Sequence, residues 1–89
     1  MRAIVTVIGK DRVGIIAAVG TMLAQNGVNI LDISQTVIEE YFTMIMLVDI
    51  GGCKIPVAQL ASLLEEEGTN LGLSIRIQRE EIFNAMHRI

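Results

Sequence analysis

The stretch RAIVTVIGKDRVGII, residues 2–16, decides the fold because a strand pattern changes to a helix pattern across one short loop. Residues 2–8 are mostly β-branched, and the turn-forming residues that follow end this run, so the segment is typical of a strand. Asp11 can cap a helix that begins near Arg12. A strand followed by an amphipathic helix is the first half of a strand-helix-strand unit.

The next part of the chain completes that unit and adds a hairpin. Apolar residues recur at helical spacing over 12–26, where Asn26-Gly27 is a helix stop with a left-handed residue available. Residues 29–39 indicate a second strand, 40–41 a tight turn, and 42–50 a third strand. The short separation between the two strands predicts that they are antiparallel.

The last third of the chain repeats the helix-strand order. Pro56 fits the first turn of a second helix, which ends either at Gly68 or at residue 71 with Gly72 as the stop. Residues 73–78 alternate with period two and predict a fourth strand. The predicted buried stripe of the second helix is Val57, Leu60, Ala61, Leu63 and Leu64. The residues of the first and fourth strands that we expect to face the core are Ala3, Val5, Val7, Leu73, Ile75 and Ile77.

The order of elements is therefore β-α-β-β-α-β, an α+β arrangement of the ferredoxin-like type. Right-handed crossovers give a four-stranded antiparallel sheet with two helices on one face. We expect one domain over 1–89, with its core in 2–79 and a short C-terminal helix over 80–89.

Composition narrows the class of protein. The 89-residue chain is 52% hydrophobic with a formal net charge of −3, which excludes disorder and argues against nucleic acid or an anionic membrane surface as partner. The single cysteine, Cys53, cannot form an internal disulfide. No apolar run is long enough to span a bilayer, and no signal peptide is visible, so we expect a cytoplasmic protein.

The sheet face away from the helices carries apolar residues in this pattern, among them Ile4, Ile8, Ile45 and Leu47. Soluble monomers seldom expose a large apolar patch. A second subunit would cover it, which predicts a homodimer. The alternative is that the C-terminal helix folds back over the face of its own chain.

The loop before the first helix is the candidate functional segment. Free N–H groups at a helix start favour a carboxylate, while Asp11 can accept hydrogen bonds from an ammonium group and Asn29 can donate and accept. These groups suit the two charged ends of an amino acid. The alternative is structural: Asp11 as a plain helix cap, Gly14 as a packing residue and Asn29 as the end of a turn.

Two strings carry a family resemblance. Gly-Lys-Asp-Arg-Val-Gly-Ile-Ile after the first strand and Asn-Gly-Val-Asn-Ile after the first helix resemble the ACT domain, a module that commonly binds amino acids and regulates metabolic enzymes. Val13 stands where proline is frequent in that family. The positions that fill the family motif are Asp11, Arg12, Gly14, Ile15, Asn29 and Ile30.

The resemblance extends over nearly the whole chain. Residues 32–36, 41–44 and 82–86 are similar to a stand-alone ACT group, the UPF0237 family, which is related to the glycine cleavage system repressor. The resemblance implies a regulatory role and an amino-acid site at a subunit interface, between the first loop and the start of the second strand. The ligand-binding residues it implies are Gly9, Asp11, Arg12, Val13, Gly14, Ile15, Asn29 and Ile30.

The chain offers no catalytic constellation. Cys53 and His87 stand alone in the sequence, and together they cannot form a tetrahedral zinc site without carboxylates. We therefore expect no catalytic residues, no cofactor, no metal site and no enzymatic activity. A small-molecule sensor and a protein interaction module without a ligand both remain open, and a regulated protein partner fits either of them. Only the sensor needs Asp11 and Asn29.

Overall fold

The computed structural model describes residues 1–10 and 14–81. The predicted order of elements is confirmed. The elements are β1 (Arg2–Lys10), α1 (Ile15–Gln25), β2 (Asn29–Ile38), β3 (Tyr41–Asp49), α2 (Val57–Leu71) and β4 (Leu73–Arg79). No helix within the described residues is long and apolar enough to cross a membrane.

The four strands form one antiparallel sheet in the order β2-β3-β1-β4, so β2 and β4 are its edges. The register defines two ends of this sheet. At one end Asp49 lies opposite both Arg2 and Asn29. At the other end, where β1 leads towards α1, Tyr41 lies opposite both Lys10 and Ile38.

The core lies between the sheet and the two helices, on the face that the alternation predicts. Ala3, Val5 and Val7 are fully buried, and Leu73 and Ile75 are buried with them, whereas Ile77 is only partly buried. Burying a side chain of this kind contributes about 1.5–3 kcal/mol. The helices add their own buried residues: Ile15, Val19 and Leu23 from α1, and Leu60, Leu64 and Gly68 from α2. Val57, Ala61 and Leu63, predicted as part of the buried stripe, are only half-buried.

The start of α1 differs from the expectation. The first helical residue is Ile15, and the N-cap is Gly14, whose φ of 87° lies in the left-handed region. A helix start near Arg12 with an Asp11 cap is therefore wrong, because the residue that leads into the helix needs a backbone conformation that favours glycine. Asp11 itself lies outside the described residues.

The end of α2 is resolved in favour of the longer helix. Gly72 is the C-cap, with a φ of 74°, and Pro56 is the N-cap rather than a first-turn residue. Gly68 stays inside the helix because β4 passes close by: a Cβ at Gly68 would lie 3.0 Å from Cγ1 of Ile75. The glycine at position 68 therefore serves close packing rather than helix termination.

The hairpin turn is shifted by one residue from the prediction. Ile38 pairs with Tyr41, so the turn is Glu39-Glu40 and not residues 40–41. Glu39 takes a φ of 54°, because a two-residue hairpin loop needs a left-handed first residue to match the twist of its strands. The third strand accordingly begins at Tyr41 instead of residue 42.

The open face of the sheet carries both apolar and polar side chains. Ile8 and Ile45 are exposed there, but the residues that continue this face onto the edges include Ser34 on β2 and Arg76 on β4. The predicted C-terminal helix lies, from residue 82 onwards, outside the described residues. Its first residue, Glu80, contacts β1 through Arg2, with Nε 2.6 Å from Oε2.

Candidate ligand cleft

A cleft of about 620 Å³ lies where α1 begins, against the part of the β2-β3 hairpin that is close to its turn. Its walls come from residues 14–17 on the helical side and from Gln35, Val37 and Phe42 on the hairpin side. The elements meet here because β1 and α1 are joined at the same end of the sheet as Ile38 and Tyr41. The cleft thus combines Gly14 and Ile15, which the sequence singled out, with a hairpin that it did not.

The start of α1 supplies hydrogen-bond donors to this region. The N–H of Ala18 donates the first helical hydrogen bond, to the carbonyl of Gly14 at 2.9 Å, so the N–H groups of residues 15–17 precede it. Such groups have no partner inside a helix. The first turn carries no acidic side chain, so the partial positive charge of the helix end is available to a carboxylate.

The inner wall of the cleft is apolar and firmly packed, while its rim is open. Ile15 and Phe42 belong to the core and are only 5% and 4% exposed. Ile16 and Val37 at the rim are 40% and 52% exposed. Gln35 is the one polar side chain among the described residues that line the cleft, and its amide can both donate and accept.

The predicted site residues before the helix have separate positions. Gly9 lies in β1 opposite Leu73, and a Cβ at Gly9 would overlap Cδ2 of that leucine. Close packing within the sheet therefore accounts for this glycine. Gly14 and Ile15 line the cleft. Asp11, Arg12 and Val13 lie outside the described residues.

Asn29 and Ile30 are not brought to the cleft within one chain. Asn29 begins β2 opposite Asp49, at the end of the sheet away from α1's first turn. Val37 is eight residues further along the strand, which at about 3.3 Å per residue is roughly 25 Å. The half-buried Ile30 lies beneath the middle of α1, since its Cδ1 is 3.9 Å from where a Cβ on Gly20 would be. The predicted set of residues is therefore split between the two ends of β2.

Gln35, Val37 and Phe42 were missed as site residues in the sequence. Their place in the cleft depends on which face of β2 and β3 turns to the helices, and on the register that sets Val37 opposite Phe42. The sequence indicated a face only for the third strand, through Ile45 and Leu47, and nothing in it fixes which part of a strand lies beside α1.

At the Asn29 end of the sheet, the carboxylate of Asp49 has two favourable contacts. The N–H of Gly51 donates to Oδ1 of Asp49 at 2.8 Å, and the N-terminal ammonium lies 3.5 Å from the same oxygen. Both contacts favour the carboxylate and lower the pKa of Asp49 from its ordinary value of 3.8. Within residues 1–10 and 14–81, no three His, Cys, Asp or Glu side chains group together as a metal site would require.

Comparison with known proteins relates this chain to a protein family. A family model described as ACT domain matches residues 2–78. A UPF0237 protein of Clostridium acetobutylicum is 55% identical over the full length of both chains. The solved structure of an ACT domain protein from Streptococcus pneumoniae is 46% identical, with 98% of each chain covered and a TM-score of 0.83. A putative glycine cleavage system transcriptional repressor is 26% identical, with a TM-score of 0.73 over 88% of this chain and 44% of that one.

Proposed function

The chain belongs to the ACT domain family, and we propose that it is a regulatory domain that binds an amino acid as a homodimer and has no enzymatic activity of its own. The observation that carries this proposal is the cleft at the start of α1, where the N–H groups of the first helical turn meet apolar walls. A carboxylate suits the helix end, and the remainder of a small metabolite suits the walls.

The proposed homodimer is supported by the distance between the cleft and Asn29. One chain places them at opposite ends of β2, so a site that uses both needs a second copy. If β2 pairs antiparallel with β2 of a second copy, about a two-fold axis near Ser34, Asn29 of the other copy lies at the hairpin end of β2, beside the cleft. Two-fold pairing of this kind uses the same strand on both subunits.

The β2 edge has the properties that such pairing requires. It is ten residues long with one charged residue, Asp32, and Leu31, Ile33 and Val37 are exposed along it. A long apolar edge strand presents unpaired backbone donors and acceptors to another strand. The apolar open face offered by the sequence remains a second surface, but it does not bring Asn29 to the cleft.

Thermal denaturation with each of the twenty amino acids tests the ligand. A ligand that binds only the folded state raises the melting temperature, so at least one amino acid is expected to do so. Asn29→Ala is expected to abolish the rise, whereas Asn70→Ala, at an exposed asparagine on α2, leaves it intact. Sedimentation equilibrium should show a dimer. A melting temperature that no amino acid changes contradicts the proposal.

The alternative function is an interaction module that binds no small ligand. The exposed Ile8 and Ile45 on the open face favour it, because such residues suit a protein partner. This module would show no change in melting temperature with any amino acid, and Asp or Lys at position 45 would abolish association with its partner.

A further inference from the structure

We infer that the cleft selects an amino acid with an aliphatic or thioether side chain, the class of leucine, isoleucine, valine and methionine. The inference rests on the proposed function and names the ligand class of the same site. It comes from the walls of the cleft rather than from the start of α1, which any amino-acid carboxylate would suit equally.

The walls carry no charge among the described residues. Ile15, Ile16, Ala17, Val37 and Phe42 present apolar side chains, and they come from α1, β2 and β3. A charged ligand side chain enclosed by these residues would lose its hydration without gaining an opposite charge, which is strongly unfavourable. An apolar side chain meets no such penalty and removes the exposed Ile16 and Val37 rim from water.

Gln35 does not change this selection. It is the single polar side chain on the described wall, and a neutral amide forms hydrogen bonds without balancing a net charge. It can accept a hydrogen bond from the ammonium group that every amino acid carries. The amide therefore orients a ligand rather than choosing between side chains.

Other clefts on the chain show that apolar walls are not a general property of this surface. The cleft on the outer side of α2 is lined by residues such as Glu65, Glu66 and Thr69. The one beside the N-terminus is lined by Arg2, Arg79 and two glutamates. Both present charged groups, in contrast to the wall at the start of α1.

The size of the preference follows from the buried carbons. Each further methylene that enters an apolar pocket tightens binding about fourfold, so leucine, with three more carbons than alanine, is expected to bind roughly 50-fold more tightly. Titration calorimetry of the full chain with leucine, methionine, alanine, serine, aspartate and lysine measures this order directly. The expected order is leucine and methionine first, alanine and serine much weaker, aspartate and lysine weakest.

A matched pair of variants locates the binding. Ala17→Glu places a carboxylate on the cleft wall, and Thr21→Glu places the same group one turn along α1, away from this wall. Both positions are exposed. Leucine affinity should fall at least tenfold in Ala17→Glu and stay within twofold in Thr21→Glu. Val37→Asp repeats the test from β2 and should also lose at least tenfold.

The outcomes separate this inference from the proposed function. If aspartate, lysine or serine binds more tightly than leucine, the ligand class is wrong while amino-acid sensing stands. Unchanged leucine affinity in both Ala17→Glu and Val37→Asp also overturns the inference, because the side chain then lies elsewhere. If no amino acid binds at all, the proposed function fails first.

Discussion

The two edge strands of the sheet, β2 and β4, differ in length, in charge and in how closely a helix packs along them. β4 has seven residues, two of which are Arg76 and Arg79, and α2 packs closely along it. β2 has ten residues with a single charge, and α1 covers it far less. Charged side chains and short length protect an edge from pairing with other strands, so β4 is closed to association while β2 is open.

This difference separates the edge that packs in the core from the edge that borders the candidate cleft. The β4 edge takes part in the core, as Gly68 shows by its close approach to Ile75. The β2 edge instead borders the ligand cleft through Val37 and exposes apolar side chains that the core does not use. Stability is therefore concentrated on the β4 side, and the proposed recognition lies on the β2 side.

The largest expected effect is a difference in stability between alanine substitutions at two isoleucines, one on each edge strand. Ile75 on β4 is 2% exposed, and Ile33 on β2 is 40% exposed. Ile75→Ala should lower the free energy of unfolding by about 2–5 kcal/mol, because a buried cavity remains. Ile33→Ala should cost less than about 1 kcal/mol at low protein concentration. Urea denaturation checks both, and equal losses would contradict the division between the two edges.

The next largest effect on stability is expected at Gly27, in the connection between α1 and β2. Gly27 has a φ of 78° and packs so closely on the carbonyl oxygen of Gly52 that a Cβ would overlap it. Gly27→Ala should lower the free energy of unfolding by about 3 kcal/mol. A left-handed alanine accounts for about 1–2 kcal/mol of this loss, and the clash with Gly52 accounts for the rest.

Gly14→Ala is the matched control for that substitution. Its φ of 87° is similar, but no atom lies within 4 Å of the Cβ position, so only about 1–2 kcal/mol should be lost. Thermal denaturation without ligand distinguishes the two, and a larger loss at position 14 than at position 27 would refute the packing argument.

A smaller effect compares two serines on the open face of the edge strands, Ser34 of β2 and Ser74 of β4. Both are exposed. Ser34→Lys brings like charges together at the proposed two-fold axis and should weaken the dimer about tenfold, which corresponds to about 1.4 kcal/mol. Ser74→Lys should leave the dimer unchanged. Sedimentation equilibrium measures both, and the reverse result would move the interface to β4.

The smallest effect concerns Asp49, at the Asn29 end of the sheet. Its folded-state pKa is lowered by the Gly51 N–H and the N-terminal ammonium, so its contribution to stability is present above its unfolded pKa. That contribution is lost as pH falls from about 4 through the folded-state value. Asp49→Asn should therefore flatten the loss of melting temperature in acid. An identical pH profile in both proteins would show that these contacts do not affect stability.

The sequence was sufficient for the parts of the fold that depend on local patterns. Alternation placed Ala3, Val5 and Val7 on the core face, because strand side chains strictly alternate. Local patterns were less reliable where a glycine can serve two purposes. Gly68 packs against β4 instead of ending α2. Gly14 is the N-cap of α1, the role that was expected for Asp11.

The candidate site was only partly predictable. Gly14 and Ile15 were identified from the loop, but their separation from Asn29 depends on the parallel course of β1 and β2, which only the paired register shows. Val37 was missed because its position beside α1 depends on tertiary packing. The same register motivates the proposed dimer, because it separates Asn29 from the cleft of its own chain.

The central claim is that each ligand site combines the cleft of one chain with Asn29 of another. Ala17→Glu and Asn29→Ala should each abolish binding alone. When the two variants are refolded together, half of the dimers are mixed and each contains one intact site, so the account predicts about a quarter of the wild-type binding capacity with wild-type affinity. A mixture that binds no more ligand than the separate variants would contradict the shared site.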